Sequence, residues 1–180
     1  MHPRLSELLD YADTTRSDLL AAVSTFPTAQ WNAPAADGGW SLAQQLTHLY
    51  LVEHSSVRAM FRALKDAKKV GLGPETETSS VRGALDATDL VMGTQKLAAP
   101  DFVQPATSFP DLATALAKLA ESREGLRAWA AEGDGCALAT VTFPHPRLGT
   151  LNLYEWVLMI AGHERRHLAQ IERLRLTVTG

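Results

Sequence analysis

Trp156-Val-Leu-Met-Ile160-Ala-Gly-His163-Glu-Arg-Arg-His167-Leu-Ala-Gln-Ile171-Glu-Arg-Leu174 combines a helical apolar stripe with two residues foreign to such a stripe. Trp156, Ile160, His163, His167, Ile171 and Leu174 recur at the three-and-four spacing of a core-facing helix, so the two histidines fill apolar slots. Histidines four apart stand one above the other on a helix, and both imidazoles can reach one metal ion. A buried imidazole without a partner costs roughly 1–3 kcal/mol. Metal ligation would satisfy both rings; so would backbone or water, and the pair alone leaves the two readings open.

Outward from that stretch, three more amphipathic helices are readable. Leu5, Leu8, Ala12, Leu19, Val23 and Phe26 mark the first, closed by Pro27. The second begins at Ser41, which with Gln44 forms a capping box. Its apolar line runs through Leu42, Leu46, Leu49, Ser56, Met60 and Leu64 to a basic end at Lys65–Lys69. The third is predicted to follow a cap at Ser108, with Pro110 in its first turn, and to run through Leu112, Leu116, Leu119, Leu126 and Trp129 to about Glu132. Asn152 and Glu155 repeat the cap-plus-acid pattern at the start of the last helix. Phe143–Gly149 reads as a loop or short hairpin. Residues 71–107 are the least readable part, with one or two short helices expected between Ser79 and Leu97. Four long helices with one long interrupted crossover predict an all-α, antiparallel four-helix bundle forming a single domain over residues 1–180.

Composition narrows the function. The chain has 46% apolar residues and a net charge of −3, from 17 basic and 20 acidic groups with interspersed signs. That is ample for a core and lacks the basic footprint of a nucleic-acid binder. No apolar run approaches the ~20 residues of a membrane span. A lone cysteine, Cys136, excludes an internal disulfide and, with no signal-like apolar region near Met1, fits a cytoplasmic protein. Cys136 has no thiolate-stabilising signature around it.

Two histidines do not make a tight site, because a catalytic zinc usually has three protein ligands and an open position. His2 is terminal, His54 lies off the face of His48, and His145 sits between two prolines in the expected loop. His48, in the middle of the second helix, is the best placed to face the last helix. The candidate ligands are therefore His48, His163 and His167. Gln45, Glu53, Glu164 and Gln170 are the candidates for lining the site or supporting the ligands. Arg147, in the same loop as His145, could hold an anionic substrate or be a plain surface charge. The four tryptophans read as core and interface residues.

Trp40-Ser-Leu-Ala-Gln-Gln-Leu-Thr-His48-Leu49, the lead-in Pro144-His-Pro-Arg-Leu-Gly-Thr-Leu-Asn-Leu-Tyr-Glu-Trp156 and the closing His163-Glu-Arg-Arg-His167-Leu-Ala-Gln170-Ile171 resemble, in that order, the signatures of the DinB-like (damage-inducible) superfamily. The resemblance spans about residues 3–175. It implies an antiparallel bundle whose ligands fall on His48, His163 and His167 and bind zinc, nickel or another divalent ion such as iron or manganese. It also implies, for some branches, a metal-dependent transferase acting on a small electrophilic molecule with a low-molecular-weight thiol, and it suggests a homodimer. A hydrolase and a non-catalytic, stress-associated metal-binding protein are the alternatives. Glu164 also completes a His-Glu-x-x-His pattern, in which a zinc peptidase would use the glutamate as general base. Zincins usually take a third ligand downstream, however. Glu172 is the sole acid after His167 and is turned off the ligand face. The plainer expectation is that Glu164 pairs with Arg or Lys on the bundle flank, and that Glu53 and Gln45 are solvated or pack between helices.

Overall fold

A computed structural model describes residues 1–84 and 98–178. Four long helices dominate it: α1 (Pro3–Ser24), α2 (Leu42–Lys69), α3 (Leu112–Gly133) and α4 (Leu153–Val178). A two-stranded antiparallel hairpin, β1 (Thr142–His145) and β2 (Gly149–Asn152), leads into α4, with Phe143 opposite Leu151. Of the short helices expected between Ser79 and Leu97, one 3-10 turn at Arg82–Ala84 is described, and residues 85–97 lie outside the described residues. Among the described residues no helix is long and apolar enough to cross a membrane.

The helix starts follow capping chemistry. At α2 the Ser41 hydroxyl accepts the Gln44 N–H at 3.3 Å and the Gln44 side chain accepts the Ser41 N–H at 3.0 Å, completing the expected box. At α4 Asn152 and Glu155 exchange the same reciprocal bonds at 3.0 and 2.7 Å. The start of α3 differs from expectation: Asp111, not Ser108, is the cap, accepting the Thr114 N–H at 2.7 Å. Pro110 explains the shift. It disfavours helical backbone at the residue before it, Phe109, so a helix cannot begin directly after Ser108.

Cross-helix contacts give the directions. His2, Asp13 and Arg16 of the α1 segment meet Asp134, Arg127 and Leu119 respectively, so α1 and α3 are antiparallel. Glu53 and Lys68 of α2 meet Arg123 and Glu132, so α2 and α3 run the same way. Arg16 meets Glu164 and Arg175 meets Thr25, so α1 and α4 also share a direction, opposite to α2 and α3. Parallel neighbours α2 and α3 require the chain to return over the length of α2, which at 28 residues is about 42 Å. The long crossover between them supplies that return.

The apolar stripes meet in two clusters. One packs Leu5, Leu8 and Ala12 against Met60, Leu64, Trp129 and Val157. The other packs Leu19 and Val23 against Leu42, Leu46, Leu119, Ile171 and Leu174. The polar residues that matter lie between them.

Candidate metal centre

α2 and α4 pack antiparallel against each other and carry the three histidines to one place. A ligand nitrogen of each of His48, His163 and His167 lies within 4.8 Å of the others, and this is the only such cluster of metal-binding side chains found among the described residues. The Nε2 atoms of His48 and His163 are 3.1 Å apart. Two nitrogens bound tetrahedrally at about 2.0–2.1 Å from one ion would stand roughly 3.3 Å apart, so the observed spacing fits the donor set to a small divalent cation.

The outer ring nitrogens of His48 and His167 are committed. His48 Nδ1 lies 2.7 Å from the Val103 carbonyl oxygen, which can only accept, so Nδ1 carries the proton and Nε2 keeps its lone pair. Val103 belongs to the crossover, which is thereby tied to the site. His167 Nδ1 faces the Gln45 side-chain oxygen at 3.4 Å, while the Gln45 amide N–H donates to the Trp40 carbonyl at 3.3 Å. That second bond fixes which end of the Gln45 amide meets the imidazole. Trp40 itself covers the rings, with its centroid 4.7 Å from His48 and stacked at 6.3 Å on His167.

Burial disfavours the charged form of all three imidazoles. Burial lowers the pKa of His48, opposed by its bond to Val103. Burial, with the charges of His48, Arg166 and His145, pushes His163 down to about 3. Burial and its neighbours His163, His48 and Arg166 act the same way on His167.

The supporting residues divide. Gln45 touches a ligand, and Gln170 lines the same cleft. Glu53 and Glu164 hydrogen-bond none of the three rings. They lie behind His163 across a void of about 10 Å³ and belong to a buried ionic quartet. Glu164 takes the Arg16 Nε–H on one oxygen and the Arg123 Nη2–H, at 2.9 Å, on the other. Glu53 takes Arg123 at 2.8 Å, Arg16 at 2.7 Å and the Ser122 hydroxyl at 2.5 Å. The pairing expected for Glu164 on the bundle flank is thus an internal one, 2% exposed, and Glu53 is equally buried rather than solvated. Burial raises the Glu164 carboxyl. At Glu53 burial is outweighed by Arg123, Arg16 and Ser122, which hold it below its ordinary value. With both oxygens engaged, Glu164 is not placed to act as the base of a zinc peptidase.

The other histidines stand apart. His2 caps α1, His54 stacks on Tyr50, and His145 accepts backbone N–H bonds in the hairpin turn beside Trp156. The triad opens into a cleft of about 1410 Å³, walled by α2, α4, the hairpin and the crossover residues 98–103. Arg147 lines it, with Nη2 donating to the Ala98 carbonyl, and so does Trp40, which the sequence reads with the other tryptophans as a core or interface residue. Val103, Arg16 and Arg123 were not anticipated.

The family model described as the DinB superfamily matches residues 11–171. The chain belongs to the DinB superfamily. The uncharacterized protein YuaE of Bacillus subtilis (strain 168) is 27% identical over 136 residues, covering 76% of this chain and 77% of that one. The crystal structure of TT2238, titled a four-helix bundle protein, superimposes with a TM-score of 0.63 at 25% identity, covering 93% of this chain and 98% of that one.

Proposed function

We propose that this DinB-superfamily chain is a divalent-metal-dependent transferase that joins a low-molecular-weight thiol to a small electrophilic molecule. The observation that carries the reading is the convergence of three neutral imidazoles, two of them braced from behind, on one side of a large open cleft. His48, His163 and His167 would hold the ion, zinc or nickel by donor type, leaving positions open to a ligand. Bound there, such an ion supplies Lewis acidity, which acidifies water or a thiol and polarises a carbonyl. The chain's own residues orient and enclose. Val103 and Gln45 fix the ring tautomers, Trp40 shields two rings from water, and the cleft gives room for more than one reactant. At about 1410 Å³ it exceeds the roughly 300–1,000 Å³ of a typical single-ligand pocket.

The carboxylate inventory favours transfer over hydrolysis. Asp37 is the one carboxylate among the described residues lining the cleft, and its side chain accepts the Gly39 N–H at 3.0 Å. A reaction whose nucleophile is already acidic, as a thiol is, has less need of a carboxylate base than activation of water.

The test is elemental analysis of untagged protein beside a His48→Ala/His163→Ala/His167→Ala variant, followed by thiol-dependent consumption of 1-chloro-2,4-dinitrobenzene with glutathione or cysteine. About one metal per chain, lost in the variant together with the activity, supports the reading. A wild-type protein that takes up none of zinc, nickel, manganese or iron under reducing conditions would sink it.

A further inference from the structure

Charge in the cleft runs against charge in the chain. The molecule carries net −3, yet Arg62, Arg147, Arg165, Arg166 and Arg173 line the cleft against the single carboxylate of Asp37. Among the described residues Arg62, Arg165 and Arg173 have no acidic partner, and all three are exposed. Arg165 falls between the two ligand histidines of α4, and Arg173 lies six residues beyond His167, about 9 Å along the helix axis. Gathering like charges in one concavity is unfavourable without a counter-charge, and it raises the local concentration of anions. Beside the histidines, Gln45, Ser55, Ser56 and Gln170, the wall carries a set of apolar side chains: Trp40, Val103, Phe143, Trp156 and Met159 line it, and Phe102, at the crossover, is 66% exposed. The cleft therefore offers donors and apolar faces, and little negative charge.

We propose that the cleft takes an amphiphilic organic anion, with its charged group against Arg165 and Arg173 and its apolar body against Trp40, Phe102 and Met159. A carboxylate, sulfonate or phosphate head suits the planar guanidinium fork. The proposal names the substrate class of the cleft described under Proposed function and rests on that reading of the site.

The test uses two fluorescent probes that share an aromatic body, 8-anilinonaphthalene-1-sulfonate and uncharged N-phenyl-1-naphthylamine. They are titrated into the full chain before and after chelator treatment, with metal content measured on every sample and near-ultraviolet circular dichroism confirming a native core. The sulfonate is expected to bind about tenfold more tightly than the neutral probe. Arg165→Gln/Arg173→Gln is expected to remove about that factor, leave the neutral probe within about twofold, and retain the metal-binding stoichiometry. Arg165→Lys/Arg173→Lys should restore most of the sulfonate affinity, and added salt should weaken it. Equal affinity for the two probes, or a glutamine variant that binds the sulfonate unchanged, overturns the proposal while leaving the metal site standing. Sulfonate binding that vanishes on chelation and is indifferent to the arginines overturns it as well, since the anion would then be held by the ion. Arginine-dependent binding by a protein that never takes up metal supports the anion site and removes the transferase reading.

Discussion

Arg16, Glu53, Arg123 and Glu164 neutralise one another inside the bundle, whereas His48, His163 and His167 bring three ring nitrogens together at the edge of a cleft, with the Nε2 atoms of His48 and His163 3.1 Å apart. Both groups are polar sets set between the same apolar clusters, on helices that share residues between them: His48 and Glu53 lie on α2, His163 and Glu164 on α4. In the quartet every carboxylate oxygen has a guanidinium partner, and the charges sum to zero. The triad's outer nitrogens on His48 and His167 are occupied, but its inner ones face each other at the edge of an open cleft. A polar cluster that satisfies itself is architecture. One that gathers ring nitrogens at the edge of an open cleft is a candidate binding site, and the neighbouring quartet ties together the two helices that carry the histidines.

The comparison breaks most visibly at the quartet. Arg123→Met leaves two buried carboxylates to one guanidinium, and loss of one partner from a buried pair typically costs about 3–5 kcal/mol. Urea unfolding of the metal-free protein should show a loss of that order. Replacing all four residues with Met and Leu should recover most of it, because well-packed apolar residues can substitute for a buried ion network.

At the triad the expectation has the opposite sense. Zinc supplied at about one hundred times its dissociation constant should stabilise the wild type by about 2.7 kcal/mol. His167→Ala should lose that increment in the same denaturation measurement. A zinc effect that survives in the variant would mean that the ion sits elsewhere.

A smaller effect sharpens the boundary between the two regions. Gln45→Leu removes the acceptor behind His167 without touching the quartet. Loss of such a supporting bond typically weakens metal affinity about 10–100-fold. Competition with a chromophoric chelator should show that shift, while the stability of the metal-free chain stays within about 1 kcal/mol of wild type.

Much of this was legible before any coordinates. The apolar stripes of α1, α2 and α4 and the Ser41 and Asn152 caps needed only local rules, because spacing and capping are properties of neighbours in sequence. The pair His163 and His167 was legible for the same reason, and His48 by elimination and resemblance. The quartet was not read, although each member sits in an apolar slot: Arg16 between Ala12 and Leu19, Glu53 between Leu49 and Ser56, Arg123 between Leu119 and Leu126, Glu164 four after Ile160. One charged residue in a stripe looks like an interruption. Only the heights at which four helices pack reveal that the interruptions cancel. Val103 was illegible for a different reason, since its role belongs to a carbonyl and carbonyls leave no trace in residue identity. The displaced start of α3 came from overlooking what Pro110 does to Phe109.

The indole of Trp40 lies over two of the candidate ligands, 4.7 Å from one ring and stacked on the other. A cation bound as proposed would draw electron density from those imidazoles and alter the surroundings of the excited indole, so the intrinsic emission of the protein would carry a signal of site filling. Trp129 is fully buried, lies outside the cleft and supplies an invariant background. If the triad takes a cation as proposed, the molecule is its own optical indicator, and occupancy could be followed in real time without a label.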